Sequence, residues 1–120
     1  MKLRNIVNAR TSLCEFREKT DFGAHLAYWI VKFLTKTQSE YDFYTFEVKK
    51  IFDKYARQKE DDALFIPADK ISEFNAEVNE LEETDVEDPG IRFSLSELAS
   101  ELKLSMKQMS SLLEFIDEDK

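Results

Sequence analysis

One cysteine, one histidine, two glycines and two prolines are all that 120 residues contain of the residue types that most often react with ligands or punctuate a fold. A lone cysteine excludes an internal disulfide framework and any cysteine-cluster zinc site, and a lone histidine excludes a multi-histidine centre. So few glycines and prolines argue against an all-β sandwich, which needs a turn about every 8–12 residues. Gly23 and Gly90 stand alone, so there is no glycine-rich loop to cradle phosphate. Positive charge is also short: 17 Lys and Arg against 25 Asp and Glu leave a net charge of −8 and a pI of about 4.7. That balance disfavours non-specific binding to nucleic acid. The longest apolar run, Leu26 to Val31, falls far short of the ~20 residues of a membrane span. Arg4, Arg10, Glu15 and Arg17 interrupt the first turns, leaving no apolar core for a signal peptide. With the free Cys14 suited to a reducing compartment, a cytoplasmic chain without membrane contact is expected.

What is present is an apolar fraction of 42% beside 35% charged residues, enough for one domain with a modest core. The charge is unevenly placed. Residues 1–59 hold 12 basic and 7 acidic side chains, whereas residues 60–120 hold 5 and 18. Between 60 and 88 there are 12 acids and one base, Lys70. Two readings follow: opposite faces that pair within the fold, or an acidic surface that meets a basic partner by charge complementarity.

Apolar periodicity is helical nearly throughout. Leu3, Ile6, Ala9 or Arg10, Leu13 and Phe16 define a first helix over about residues 4–18. Thr20 or Asp21 can cap the next one. From Phe22 to about Arg57 a stripe through Leu26, Trp29, Ile30, Phe33, Tyr41, Tyr44, Val48, Ile51, Phe52 and Tyr55 stays in phase, which predicts a long helix. The stripe thins at Thr37 and Glu40, where a polar layer or a kink can sit. Gln58 to Leu64 reads as an acidic loop, and Pro67 suits the first turn of a third helix. Ile71, Phe74, Val78 and Leu81 form that helix's seam, expected to lie antiparallel to Val48, Ile51 and Tyr55. Asp88-Pro89-Gly90 is a turn, and Val86 with Ile91-Arg92-Phe93 alternates enough for one or two short strands. Ser94 with Glu97, and Ser105 with Gln108, have capping-box spacing for two C-terminal helices.

Little of this is reactive chemistry. Cys14 and His25 fall on different helices with no orienting third group, and a thiolate nucleophile needs both base and orienter close by. Asp61-Asp62 and Asp85-Glu87-Asp88 lack the alternating ligands and mid-loop glycine of a calcium loop. Lys49, Lys50, Lys54, Arg57 and Lys59 make one basic cluster, which helical spacing spreads over more than one face. The informative surplus is aromatic: Tyr28, Phe43 and Phe46 lie off the main stripe. A helix apolar on several sides is enclosed by others or pairs with another chain, and aromatic side chains suit such contacts.

Three stretches together resemble a family of small proteins of unknown function encoded by phages and prophages of Gram-positive bacteria. They are Ala27-Tyr28-Trp29-Ile30-Val31-Lys32 continuing to Glu40-Tyr41; Lys54-Tyr55-Ala56, then Ile66-Pro67 and Glu73-Phe74-Asn75-Ala76-Glu77-Val78-Asn79-Glu80-Leu81; and Ser94-Leu95-Ser96-Glu97-Leu98, then Leu104-Ser105 and Leu113-Glu114-Phe115-Ile116. The resemblance implies a phage origin and a helical hairpin with a C-terminal appendage, and it brings no catalytic residues.

The expectation is therefore a mainly α fold. Residues 1–84 form a helical hairpin with a short N-terminal helix, and residues 85–120 form a small extended-plus-helical unit. The expected function is non-catalytic, with no metal and no cofactor: binding of a host or phage protein, such as inhibition of a host defence factor through an acidic surface. The contact is expected at Glu73, Glu77, Glu80, Glu82, Glu83, Asp85, Glu87 and Asp88 together with Phe43 and Phe46. The alternative is a homo-oligomeric structural or assembly protein of the phage particle, joined through the aromatic long helix.

Overall fold

A computed structural model describes residues 1–19 and 21–117 of the chain. The fold is mainly α. Its helices are α1 (Leu3–Cys14), α2 (Ala24–Lys36), α3 (Gln38–Tyr55), α4 (Ile71–Glu82), α5 (Leu95–Glu101) and α6 (Met106–Leu112), the last running into a 3-10 turn, Leu113–Phe115. Two two-stranded sheets accompany them. β1 (Arg57–Gln58) pairs antiparallel with β2 (Leu64–Phe65), and β3 (Phe93–Ser94) pairs parallel with β4 (Ile116–Asp117).

Apolar spacing explains which helix faces close. On α1, Leu3, Ile6, Ala9 and Leu13 are buried at steps of three and four, and on α2 so are Leu26, Ile30 and Phe33. These meet a third layer from the C-terminal segment: Ile91, Phe93, Leu98, Leu102, Leu112 and Phe115. The segment expected as an appendage thus supplies half of the buried core. Phe33 sits at the centre, edge-on to Phe115 at 4.8 Å and tilted against Phe93 at 5.9 Å. α5 starts on Ser94, whose hydroxyl accepts the Glu97 N–H at 3.3 Å. α6 starts on the full reciprocal box of Ser105 and Gln108, at 3.1 and 2.8 Å.

Several local expectations are corrected. The long helix breaks at Thr37, whose φ of −102° and ψ of 7° leave the helical region. The hydroxyl of Thr37 donates to the Phe33 carbonyl at 2.7 Å, a side-chain bond that competes with the backbone ladder. α2 is capped by Gly23 with no side-chain cap, its N–H donating instead to Glu101 Oε2 at 2.7 Å; Thr20, one of the two expected caps, lies outside the described residues. Pro67 precedes α4 in a turn of its own, its carbonyl accepting the Lys70 N–H at 2.9 Å, and the helix begins at Ile71. α1 ends at Cys14, short of the expected residue 18.

Candidate functional site

α3 and α4 form an arm with a different character from the body. No residue of either helix is buried. Their shared seam consists of half-buried Tyr44, Val48, Ile51, Phe52 and Tyr55 against Phe74, Val78 and Leu81. Phe52 meets Phe74 edge-on at 6.3 Å. Lys54 pairs with Glu77 at 2.6 Å near the far end, and Glu82 lies close enough to Tyr44 near the root to help burial raise that phenol's pKa. The two helices therefore run in opposite directions. β1 and β2 close the far end, with the Lys59 N–H donating to the Ala63 carbonyl at 2.8 Å and Asp62 in the left-handed region at φ 67°. At 18 residues α3 is about 27 Å long, in a molecule measuring 54 × 31 × 24 Å.

Both roots of the arm are tied to α1. At the α4 root, Lys2 and Arg4 both pair with Glu83, Arg4 at 2.6 Å, and the pairing holds the Glu83 carboxyl below its usual range. The Leu3 N–H donates to Thr84 O at 2.8 Å and the Val86 N–H to Met1 O at 2.7 Å, so that the backbones of Lys2 and Asp85 form an isolated antiparallel β-bridge. At the α3 root the tie is Arg10. Its guanidinium reaches the break between α2 and α3, donating to Leu34 O at 2.6 Å, Thr37 Oγ1 at 2.9 Å and Gln38 Oε1 at 3.1 Å, and it lies 4.6 Å from the Tyr41 ring centre. Gln38 passes the contact on to Asp42 at 2.9 Å. Sequence reasoning missed this node. Its one signal was the ambiguity between Ala9 and Arg10 in the first stripe, because α1 turns out to be covered on more than one side.

The expected acidic contact residues divide into two groups. Glu77 is engaged by Lys54, Glu83 by Lys2 and Arg4, Asp88 by Arg92 at 2.7 Å, and Glu73 by Lys70 at 3.7 Å. Arg92 and the Gly90 N–H hold the Asp88 carboxyl down at about 2, and Lys54 lowers that of Glu77. Among the described residues, Glu80, Glu82, Asp85 and Glu87 make no ion pair. Glu87 and Asp88 border a 180 Å³ cleft with Lys36, Thr37 and Glu40, while Glu80 lies exposed on α4.

The aromatic pair stands where the off-stripe reading placed it. Phe43 and Phe46 are 44% and 63% exposed. At about 100° per residue they lie on the side of α3 opposite the seam. Lys50 lies 5.6 Å from the Phe46 ring centre.

Cys14 and His25 share no hydrogen bond: His25 Nδ1 meets Glu97 Oε2 at 2.7 Å, tying α2 to α5. Among the described residues no group of three or more His, Cys, Asp or Glu is placed to hold a metal ion, and no helix is long and apolar enough to cross a membrane. The chain matches no protein-family model, no curated protein and no solved structure.

Proposed function

We propose that the chain works without catalysis, by binding another protein through the α3–α4 arm. The observation that carries this reading is that two phenylalanines stand exposed on an arm with no buried residue, on the side facing away from the α3–α4 seam. An apolar pair held on a rigid helix is the kind of anchor that protein interfaces concentrate their energy on. The uncompensated acids Glu80, Glu82, Asp85 and Glu87 add a negative field around α4 and its root, which favours a partner with a basic rim. The acids already paired within the chain are set aside as structural ties. The resemblance to phage and prophage proteins suggests a host factor, such as a defence protein with a basic groove, as the class of partner.

Affinity capture from host lysate with three baits tests this: wild type, Phe43→Asp/Phe46→Asp, and Glu80→Lys/Glu87→Lys. Proteins retained by wild type are expected to be lost from the aromatic variant, and to be weakened in the charge variant and at high salt. A retained set that ignores both variants contradicts the proposal. The exposed aromatic face also favours a second reading, self-association of the chain. Sedimentation equilibrium separates the two, since only self-association predicts a wild-type oligomer that Phe43→Asp/Phe46→Asp converts to monomer.

A further inference from the structure

Beside the α3 root, Arg10 also borders a concave site. Arg10 is only 7% exposed, yet no carboxylate lies within ion-pair distance of it, and its Nε–H is buried without a hydrogen-bond partner. A buried cation normally has a counter-charge, because desolvation of an unpaired charge is costly. Arg10 meets the Gln38 side-chain oxygen, and the Gln38 amide in turn donates to Asp42. Arg10 lines a 310 Å³ cleft together with Thr11, Cys14, Arg17 and Tyr41, and among the described residues no acidic side chain borders it. The Arg17 side chain is engaged by no other described residue.

Arg17 also borders a second cavity of 200 Å³, walled by Leu13, Phe16, Phe22, Ile30, Val31 and Leu34. Lys19 at its edge is matched by Asp21 at 2.9 Å, so Arg17 is the unmatched charge there. Arg17 lines both spaces, and Leu34, which lines the apolar cavity, accepts from Arg10 through its carbonyl at 2.6 Å. The result is a cationic end beside an apolar slot. Few polar groups set against an apolar lining is how small-molecule sites are generally built.

We infer that this paired cleft binds a small amphipathic anion, one carboxylate or phosphate head at Arg10 and Arg17 and one apolar tail along Phe16, Ile30 and Leu34. The head replaces the missing counter-charge of Arg10. Guanidinium forks match both carboxylate and phosphate oxygens, so the head chemistry is shared between the two.

Calorimetric and NMR titration of the intact chain with octanoate, octyl phosphate, octanol, acetate and inorganic phosphate tests the inference. Saturable binding of octanoate or octyl phosphate is expected, with amide shifts centred on Arg10, Arg17, Leu34 and Tyr41; whichever binds tighter names the head group. Octanol lacks the charge, and acetate and phosphate lack the tail, so each should bind at least about tenfold more weakly. Arg17→Gln, a change at an exposed position that leaves the core intact, should weaken the tailed anion by about tenfold as well. No saturable binding of either tailed anion, octanol binding equally well, or an Arg17→Gln variant with unchanged affinity overturns the inference. None of these outcomes bears on the exposed Phe43 and Phe46 or on the unpaired acids of α4.

Discussion

Body and arm are made from helices of similar amphipathic pattern, yet they end in different states. In the body, α1 and α2 each present an apolar stripe and a third layer, residues 91–115, covers both, so that Leu26, Phe33, Phe93 and Phe115 are sealed. In the arm, α3 and α4 present stripes of comparable length chiefly to each other, with α1 packed at their roots, and every residue stays at least partly wet. A two-layer helix pair can shield its seam but cannot enclose it. The difference teaches that a stripe at helical spacing announces a contact, while the number of layers decides whether that contact becomes a core or a surface held ready for something else.

Ring truncation breaks the comparison most sharply. Phe33→Ala removes a ring enclosed between two others and is expected to cost about 3–5 kcal/mol, whereas Phe52→Ala opens a half-wet seam and should cost roughly 1–2 kcal/mol. Urea denaturation followed by circular dichroism measures both; equal losses would mean that the arm has a core of its own. Thr37→Val probes the junction between the two regions. It deprives a buried Arg10 N–H of its acceptor at 2.9 Å and is expected to cost about 1–3 kcal/mol, with α3 losing its fixed direction relative to α2.

Smaller still is the acid response of the body's edge. Asp88 has its carboxyl held at about 2 by Arg92 and the Gly90 N–H. Its folded-state pKa is thus below the unfolded value of about 3.9, so its contribution is complete above that value and is lost as pH falls through about 2. Asp88→Asn should flatten the fall in melting temperature between those two values, and an unchanged slope would show the ion pair to be idle. The smallest effect belongs to the arm's own pair, Lys54 and Glu77, which lies in solvent. Glu77→Gln should leave the midpoint of unfolding nearly unmoved at physiological salt.

Much of this contrast was written in local pattern, and much was not. The stripe Leu26, Ile30, Phe33 and the seam Phe74, Val78, Leu81 follow from spacing alone, and the Ser105–Gln108 box follows from a three-residue step between two polar side chains. Phe43 and Phe46 were legible as rings out of phase with their helix. The thinning at Thr37 marks the place where the helix breaks, but the guanidinium that meets the break, that of Arg10, lies 27 residues away, and no local pattern reports a partner at that distance. The parallel pairing of Phe93 with Ile116 was hidden for the same cause. The acidic residues differ in another way: composition counts charges, while only geometry separates Glu77, Glu83 and Asp88, which are paired within the chain, from Glu80 and Glu87, which carry no such pairing.

A sealed body that carries a folded arm without a core should show two classes of amide in native-state hydrogen exchange of the free chain. Amides of α1, α2 and β3 should exchange only through global unfolding. Those from Val48 through Leu81 should exchange faster, through an opening of the arm that leaves the body intact. Equal protection in both regions, falling together with denaturant, would contradict the account.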